Sequence, residues 1–115
     1  MYLNLNKKLK TLSNNLSEFV QTAQIYHYYV PTHTQPPYFM WMEDGEDLSQ
    51  YSDDYKRHQT ITGMLHYYTQ TEYDEDVDNA QTALNSMDNV SWSLNSVQYE
   101  DTTGLIHYAW DFEVT

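Results

Sequence analysis

The sequence predicts an α+β fold: a mainly antiparallel sheet of about five strands with two helices packed on one face, in the order α-β-β-β-α-β-β. Three observations carry that prediction. The last quarter of the chain, SWSLNSVQYEDTTGLIHYAWDFEV, is two alternating strands joined by a five-residue acidic turn that ends in glycine. Side chains in a strand alternate between faces, so Ile106, Tyr108, Trp110, Phe112 and Val114 share one face, and Leu105, His107, Ala109, Asp111 and Glu113 share the other. The other two observations are apolar stripes at helical spacing, one near the start and one between the third and fourth strands.

The first stripe is Leu5, Leu9, Leu12, Leu16, Phe19 and Val20, with Asn, Lys, Ser and Glu filling the opposite face. It predicts an amphipathic helix over residues 3–21 that packs on the sheet; its polar face holds too much Asn, Ser and Thr for a membrane-surface helix. Residues 24–30, QIYHYYV, are rich in β-branched and aromatic side chains and stop at Pro31, which reads as a strand. After a loop over 32–37, residues 38–43, YFMWME, form a second strand whose few polar breaks allow burial on both faces. Pro36 and Pro37 fall outside its pairing, because proline has no N–H to donate.

Residues 44–56, DGEDLSQYSDDYK, read as a long, exposed acidic connection. Residues 57–69 alternate again, with Ile61, Gly63, Leu65 and Tyr67 on one face. Gly63 in mid-strand predicts a bulge or a close approach by another element. The second helical stripe, Val77, Ala80, Leu84 and Met87, lies within residues 71–88, with Asp74 as N-cap and Glu75, Asp76 and Asp78 complementing the helix dipole. Asn89 is a suitable stop.

The 115 residues make one domain, 1–115, with a modest core. Cysteine is absent, which excludes disulfides and thiolate metal sites. The N-terminus lacks the unbroken apolar segment of a secretory signal, and no apolar run reaches bilayer length, so the expectation is a soluble protein made in the cytoplasm. Seventeen acidic against five basic residues give a net charge of −12. Such a surface repels nucleic-acid phosphates, so sequence-specific DNA or RNA binding is not expected. The acidity suits solubility, or a surface past which DNA slides without sticking. Twelve tyrosines and three tryptophans suit half-buried sheet faces and subunit interfaces.

Nothing in the chain reads as an active site. Glu43, Asp44, Glu46 and Asp47 around Gly45 lack the spacing of a calcium loop, and they read, with Asp53 and Asp54, as a solvated acidic loop. Of five histidines, none form an i, i+4 helical pair, and there is no HExxH. His27, His66 and His107 lie on predicted strands and could converge on one face, where three imidazoles can bind zinc; ordinary sheet histidines are the plainer assignment. There is no GxSxG, and three glycines cannot build a phosphate loop. The expectation is no enzyme, no cofactor and no metal.

Four segments together resemble a family of small proteins from the tail region of tailed phages and prophages: IYHYYVP, PPYFMWMEDGED, HQTITGMLHYYTQTEYDEDVD and the terminal hairpin. They span about four-fifths of the chain; where a proline is expected at the start of the second helix, Glu75 stands instead, which suits a first helical turn equally well. The resemblance implies a tail-completion or tail-terminator protein, a virion component of the tail or neck. Such proteins form rings, usually hexameric, that cap the tail tube and meet the head-side connector, and they carry no catalytic residues. It further implies that the acidic stretch (Glu43, Asp44, Glu46, Asp47, Asp53, Asp54) faces the channel or a joining partner, and that Tyr28, Tyr38, Trp41 and Tyr68 are candidate interface aromatics. The alternative is a soluble module that holds a ligand or partner on a tyrosine-rich sheet face.

Overall fold

A computed structural model describes residues 3–48 and 58–115. The chain forms α1 (Leu5–Phe19), β1 (Gln24–His27), β2 (Tyr38–Glu46), β3 (Ile61–Thr69), α2 (Glu75–Asn85), β4 (Val90–Glu100) and β5 (Leu105–Val114). The element order and the α+β class are those the sequence predicts. The five strands make one sheet in the order β1-β2-β3-β5-β4. All neighbours are antiparallel except β1 and β2, which run parallel.

Both helices lie on one face of the sheet. Leu9, Leu12 and Leu16 of α1 and Ala80, Ala83 and Leu84 of α2 are buried with Phe39, Trp41, Ile61, Leu65, Tyr67, Trp110, Phe112 and Val114. Each fully buried leucine contributes about 2 kcal/mol by area, so the stripe, rather than helix propensity, holds α1 in place. α1 is shorter than the predicted 3–21, because Val20 is already extended. α2 begins at the predicted cap, with the Asp74 carboxylate accepting from the Asp76 N–H at 2.9 Å. It ends at Asn85, short of Asn89, where Ser86 caps it through bonds to the carbonyls of Thr82 and Ala83. Two indole N–H groups pin α2 to the sheet: Trp110 donates to Gln81 Oε1 at 3.1 Å and Trp92 to Asn85 Oδ1 at 3.2 Å.

β1 stops at His27, not Val30, because Tyr28 turns to a positive φ of 72°. β2 is not buried on both faces: Phe39 and Trp41 are covered by the helical layer, while Tyr38 and Met40 are half-buried and Met42 is exposed. β2 also runs further than expected. A bulge at Asp44 lets Gly45 and Glu46 continue pairing with Thr62 and Ile61, so the start of the supposed acidic loop is strand. Gly63 meets the predicted close approach. A Cβ there would lie 2.4 Å from Phe112 Cζ and 2.6 Å from the Met42 carbonyl oxygen.

In the terminal hairpin, Glu100 pairs with Leu105, so the turn is the four residues 101–104 and not five. Gly104 takes a φ of 71° there, the left-handed conformation that favours glycine. A bulge between Leu94 and Ser96 leaves Asn95 unpaired. Strict alternation would place Leu94 and Val97 on opposite faces; the extra residue puts both on the helix side.

Candidate interaction surfaces

No element of the described residues covers the sheet face away from the helices. Its cross-strand register aligns Gln24, Tyr38, Tyr68, His107 and Gln98 in one row, with Tyr26, Met40, His66 and Ala109 in the next. The rings meet across the strands. Tyr26 is edge-on to Tyr38 at 6.2 Å, Tyr38 lies 5.0 Å from Tyr68, and Tyr68 stacks on His107 at 4.3 Å. His66 Nδ1 and His107 Nε2 are 2.9 Å apart and share one hydrogen.

Titration of four side chains on this face, Tyr38, Tyr68, His66 and His107, is shifted toward the uncharged forms. Burial raises the Tyr38 and Tyr68 hydroxyls, with Tyr38 adding to the rise at Tyr68. Burial lowers both imidazoles; the neighbouring His66 lowers His107 further, while Asp111 partly offsets the effect at His66. A neutral, half-buried row of aromatic rings can be covered by another molecule without stripping water from a charge.

A second surface lies on the helix side of the hairpin. β4 is an edge strand, and of its residues only Val90, Trp92 and Ser96 are half-buried. Beyond Trp92, the apolar side chains that face the helical side have no helix of the described residues above them: Leu94, Val97 and Tyr99 are 47%, 50% and 67% exposed. Tyr73, in the loop before α2, is 89% exposed, and a bond from Gln70 Nε2 to the Thr103 carbonyl at 3.1 Å ties that loop to the hairpin turn. None of these four stands out in the sequence: a strict two-residue period sets Trp92 and Leu94 against Val97 and Tyr99, and how far the helices reach is a tertiary fact.

The predicted interface aromatics divide between places. Tyr38 and Tyr68 lie together on the uncovered face. Tyr28 is exposed at the β1 edge, stacked on His27 at 3.8 Å, with its hydroxyl donating to Glu43. Trp41 corrects the expectation: it is 1% exposed beneath the helical layer, stacked on His27 at 3.8 Å, and belongs to the core. That same stacking puts His27 on the helix side, so the three strand histidines do not converge. Only His66 and His107 meet, and no group of three or more His, Asp or Glu suited to a metal occurs among the described residues.

The predicted acidic loop is also corrected in part. Glu43 accepts from His27 Nε2 at 2.8 Å as well as from Tyr28. Burial pulls its pKa up, but these bonds and the imidazole's attraction outweigh that, and it titrates below the ordinary carboxylate range. Asp44 accepts from Thr62 Oγ1 at 2.7 Å, and the Asp47 N–H bonds to the Thr60 carbonyl at 2.9 Å. Glu43, Asp44 and Glu46 lie within β2, with Asp47 just after it, and two of these carboxylates anchor the sheet edge. Asp53 and Asp54 lie outside the described residues.

Sequence reasoning placed Asp76 in the first turn of the second helix for the dipole alone and missed its buried role. It is 2% exposed and accepts from the N–H groups of Gln21, Thr22 and Ala23 at 3.0–3.3 Å, from Thr22 Oγ1 at 3.0 Å and from Asn79 Nδ2 at 3.0 Å. Burial raises its pKa, and the hydrogen bonds overcome that and lower it. It locks the end of α1 to the start of α2, a structural joint and not a reactive group.

No protein-family model matches this chain, and no curated protein matches it. No helix among the described residues is long and apolar enough to cross a membrane.

Proposed function

We propose that this chain is a structural, non-enzymatic subunit of an oligomeric ring that ends a phage tail tube and joins it to the head-side connector. The observation that carries the proposal is the apolar hairpin face outside the helical cover. Leu94, Val97 and Tyr99 sit on a strand, where exposed apolar groups are a liability unless another protein covers them. The uncovered aromatic row offers a second contact surface of the kind protein interfaces favour. The net charge of −12 suits a ring on a DNA path, since each copy repels phosphate. The resemblance of the four segments supplies the specific assignment to tail completion.

Light scattering and sedimentation over a wide concentration range, with and without purified tail tubes, test the proposal. Concentration- or tube-dependent closure into an oligomer of several subunits is expected. A chain that stays monomeric under every one of these conditions overturns it.

One observation favours a second assignment, a ligand- or partner-binding module. A hollow on the uncovered face is lined by Tyr68, Gln98, Glu100, Leu105 and His107. Saturable binding of a small molecule that shifts the His107 ring signals in NMR, on a strictly monomeric protein, would favour it.

A further inference from the structure

β4 pairs with β5 on one side, and no described strand pairs with it on the other. In an antiparallel strand every second residue turns its N–H and C=O away from the neighbour, so the outer side of β4 offers a row of backbone donors and acceptors. Edges are ordinarily guarded by charges, prolines or bulges. β4 has no proline, and Glu100 is its one charged residue. The bulge between Leu94 and Ser96 divides the edge in two. Residues 90–94 run beside α2, to which Trp92 is bonded. Residues 96–100 have no helix of the described residues beside them, and their two faces differ. Val97 and Tyr99 point to the helix side, as do their partners Tyr108 and Ile106; Gln98 and Glu100 point to the other side, with His107 and Leu105. The hollow that Tyr68 and His107 help to line reaches the edge at Gln98 and Glu100. The charge here has one sign: residues 58–115 hold ten Asp and Glu and no Lys or Arg. The lysines of the described residues, Lys7, Lys8 and Lys10, stand on α1, and Lys10 lines a groove with His27 and Tyr28 at the opposite, β1 edge of the sheet.

We infer that the β4 edge at residues 96–100 takes an extended segment of a partner protein in which apolar and basic residues alternate, added to the sheet as a further strand. Successive side chains of an added strand fall on opposite faces. Its apolar residues would cover Val97 and Tyr99, and its basic residues would stand on the side of Gln98 and Glu100. An arginine there would meet the Glu100 carboxylate and lie over the rings of Tyr68 and His107, a cation–π contact. The two faces together select this occupant. Nucleic acid would find no lysine or arginine on this half of the chain. A second copy is the poorer fit. Antiparallel pairing of β4 with itself would lay Glu100 and Asp101 of each copy by the Asp88 and Glu113 end of the other, and like charges across an interface are costly. The inference goes beyond the ring proposal: the edge is open in a single chain, and the partner strand needs no ring to hold it.

The test is a capped heptapeptide alternating arginine and valine, titrated into the isotope-labelled full chain and followed by NMR. Two control peptides have the same composition: one groups the arginines and the valines in blocks, and the other keeps the alternation but is N-methylated throughout, so that it holds the side chains and cannot pair. The alternating peptide is expected to bind at least about tenfold more tightly than either control. It should shift the amide signals of residues 96–100 and slow the hydrogen exchange of those that point outward. Glu100→Lys, at an exposed edge position, should weaken binding about tenfold while near-ultraviolet circular dichroism stays that of the parent chain. Equal binding of the block peptide overturns the inference, since charge alone would then suffice. Equal binding of the N-methylated peptide overturns it too, as do shifts confined to residues away from β4, unchanged affinity in Glu100→Lys, or no binding at millimolar peptide. None of these results touches the ring proposal, which stands or falls on self-association.

Discussion

Replacing Asp76 by alanine removes a carboxylate that five donors share. Hydrogen bonds to a charged group are worth about 1.5–3 kcal/mol each, and a buried donor left unpaired costs about 1–3 kcal/mol. The loss is smaller than the sum, because Gln21 and Thr22 are exposed and water reaches their N–H groups once the carboxylate is gone. The equivalent of two unreplaced bonds gives about 3 kcal/mol. With an unfolding entropy of about 2.1 cal/mol/K per residue, 115 residues give about 0.24 kcal/mol/K, so the melting temperature should fall by about 12 °C. Thermal unfolding by circular dichroism at pH 7 measures this, with Glu75→Ala as the comparator. Glu75 is an exposed first-turn acid whose removal costs only the dipole interaction, about 0.5 kcal/mol. The pH dependence supplies a second readout. The folded pKa of Asp76 is lowered, so its stabilisation is complete above the unfolded carboxyl value near 4 and fades as pH falls through the folded value. The gap between the parent chain and Asp76→Asn should therefore persist at pH 5–7 and narrow below about pH 4. If Asp76→Ala melts within 2–3 °C of Glu75→Ala, on the order of 0.5 kcal/mol, the carboxylate is not the joint between α1 and α2.

Gly63→Ala should cost about 3 kcal/mol in denaturant unfolding, because its Cβ meets Phe112 at 2.4 Å and the Met42 carbonyl at 2.6 Å. Adding Phe112→Leu should recover only part of the loss, since the backbone carbonyl cannot move aside. Gly104→Ala should cost about 1 kcal/mol, from the positive φ alone, as nothing lies within 4 Å of the added carbon. The folded pKa values of His66 and His107 are lowered, so stability should fall as pH drops below the unfolded value near 6.5, where the unfolded chain takes up protons first. His66→Gln/His107→Gln should melt with a flatter slope between pH 7 and pH 5; an unchanged slope would mean that the paired imidazoles do not couple to folding.

The element order, the two helical stripes, the Asp74 cap and the inward face of β5 were legible in the sequence, because each follows from a local period or a residue's conformational preference. The helix-side position of Leu94 together with Val97 was not. It depends on a one-residue bulge, and bulges arise from how two strands pair across the sheet. Trp41 and Tyr38 show the same limit. Both are aromatic residues of one strand, and alternation says only that they face opposite ways; which face the helices cover consigns Trp41 to the core and leaves Tyr38 available. His27 and Glu43 were legible as a titratable pair only after β1 was seen to lie parallel to β2, a pairing with no mark in either strand.

By itself the sequence determined the kinds of element, their order, the strong negative charge and the apolar faces that had to be hidden, since these depend on residues a few positions apart. Only the tertiary structure decided that Asp76 is a buried joint, that His66 meets His107 without His27, and that the helical layer stops short of the hairpin. Those outcomes depend on contacts between residues tens of positions apart, and the lateral reach of one packed layer over another is encoded in no single stretch of chain.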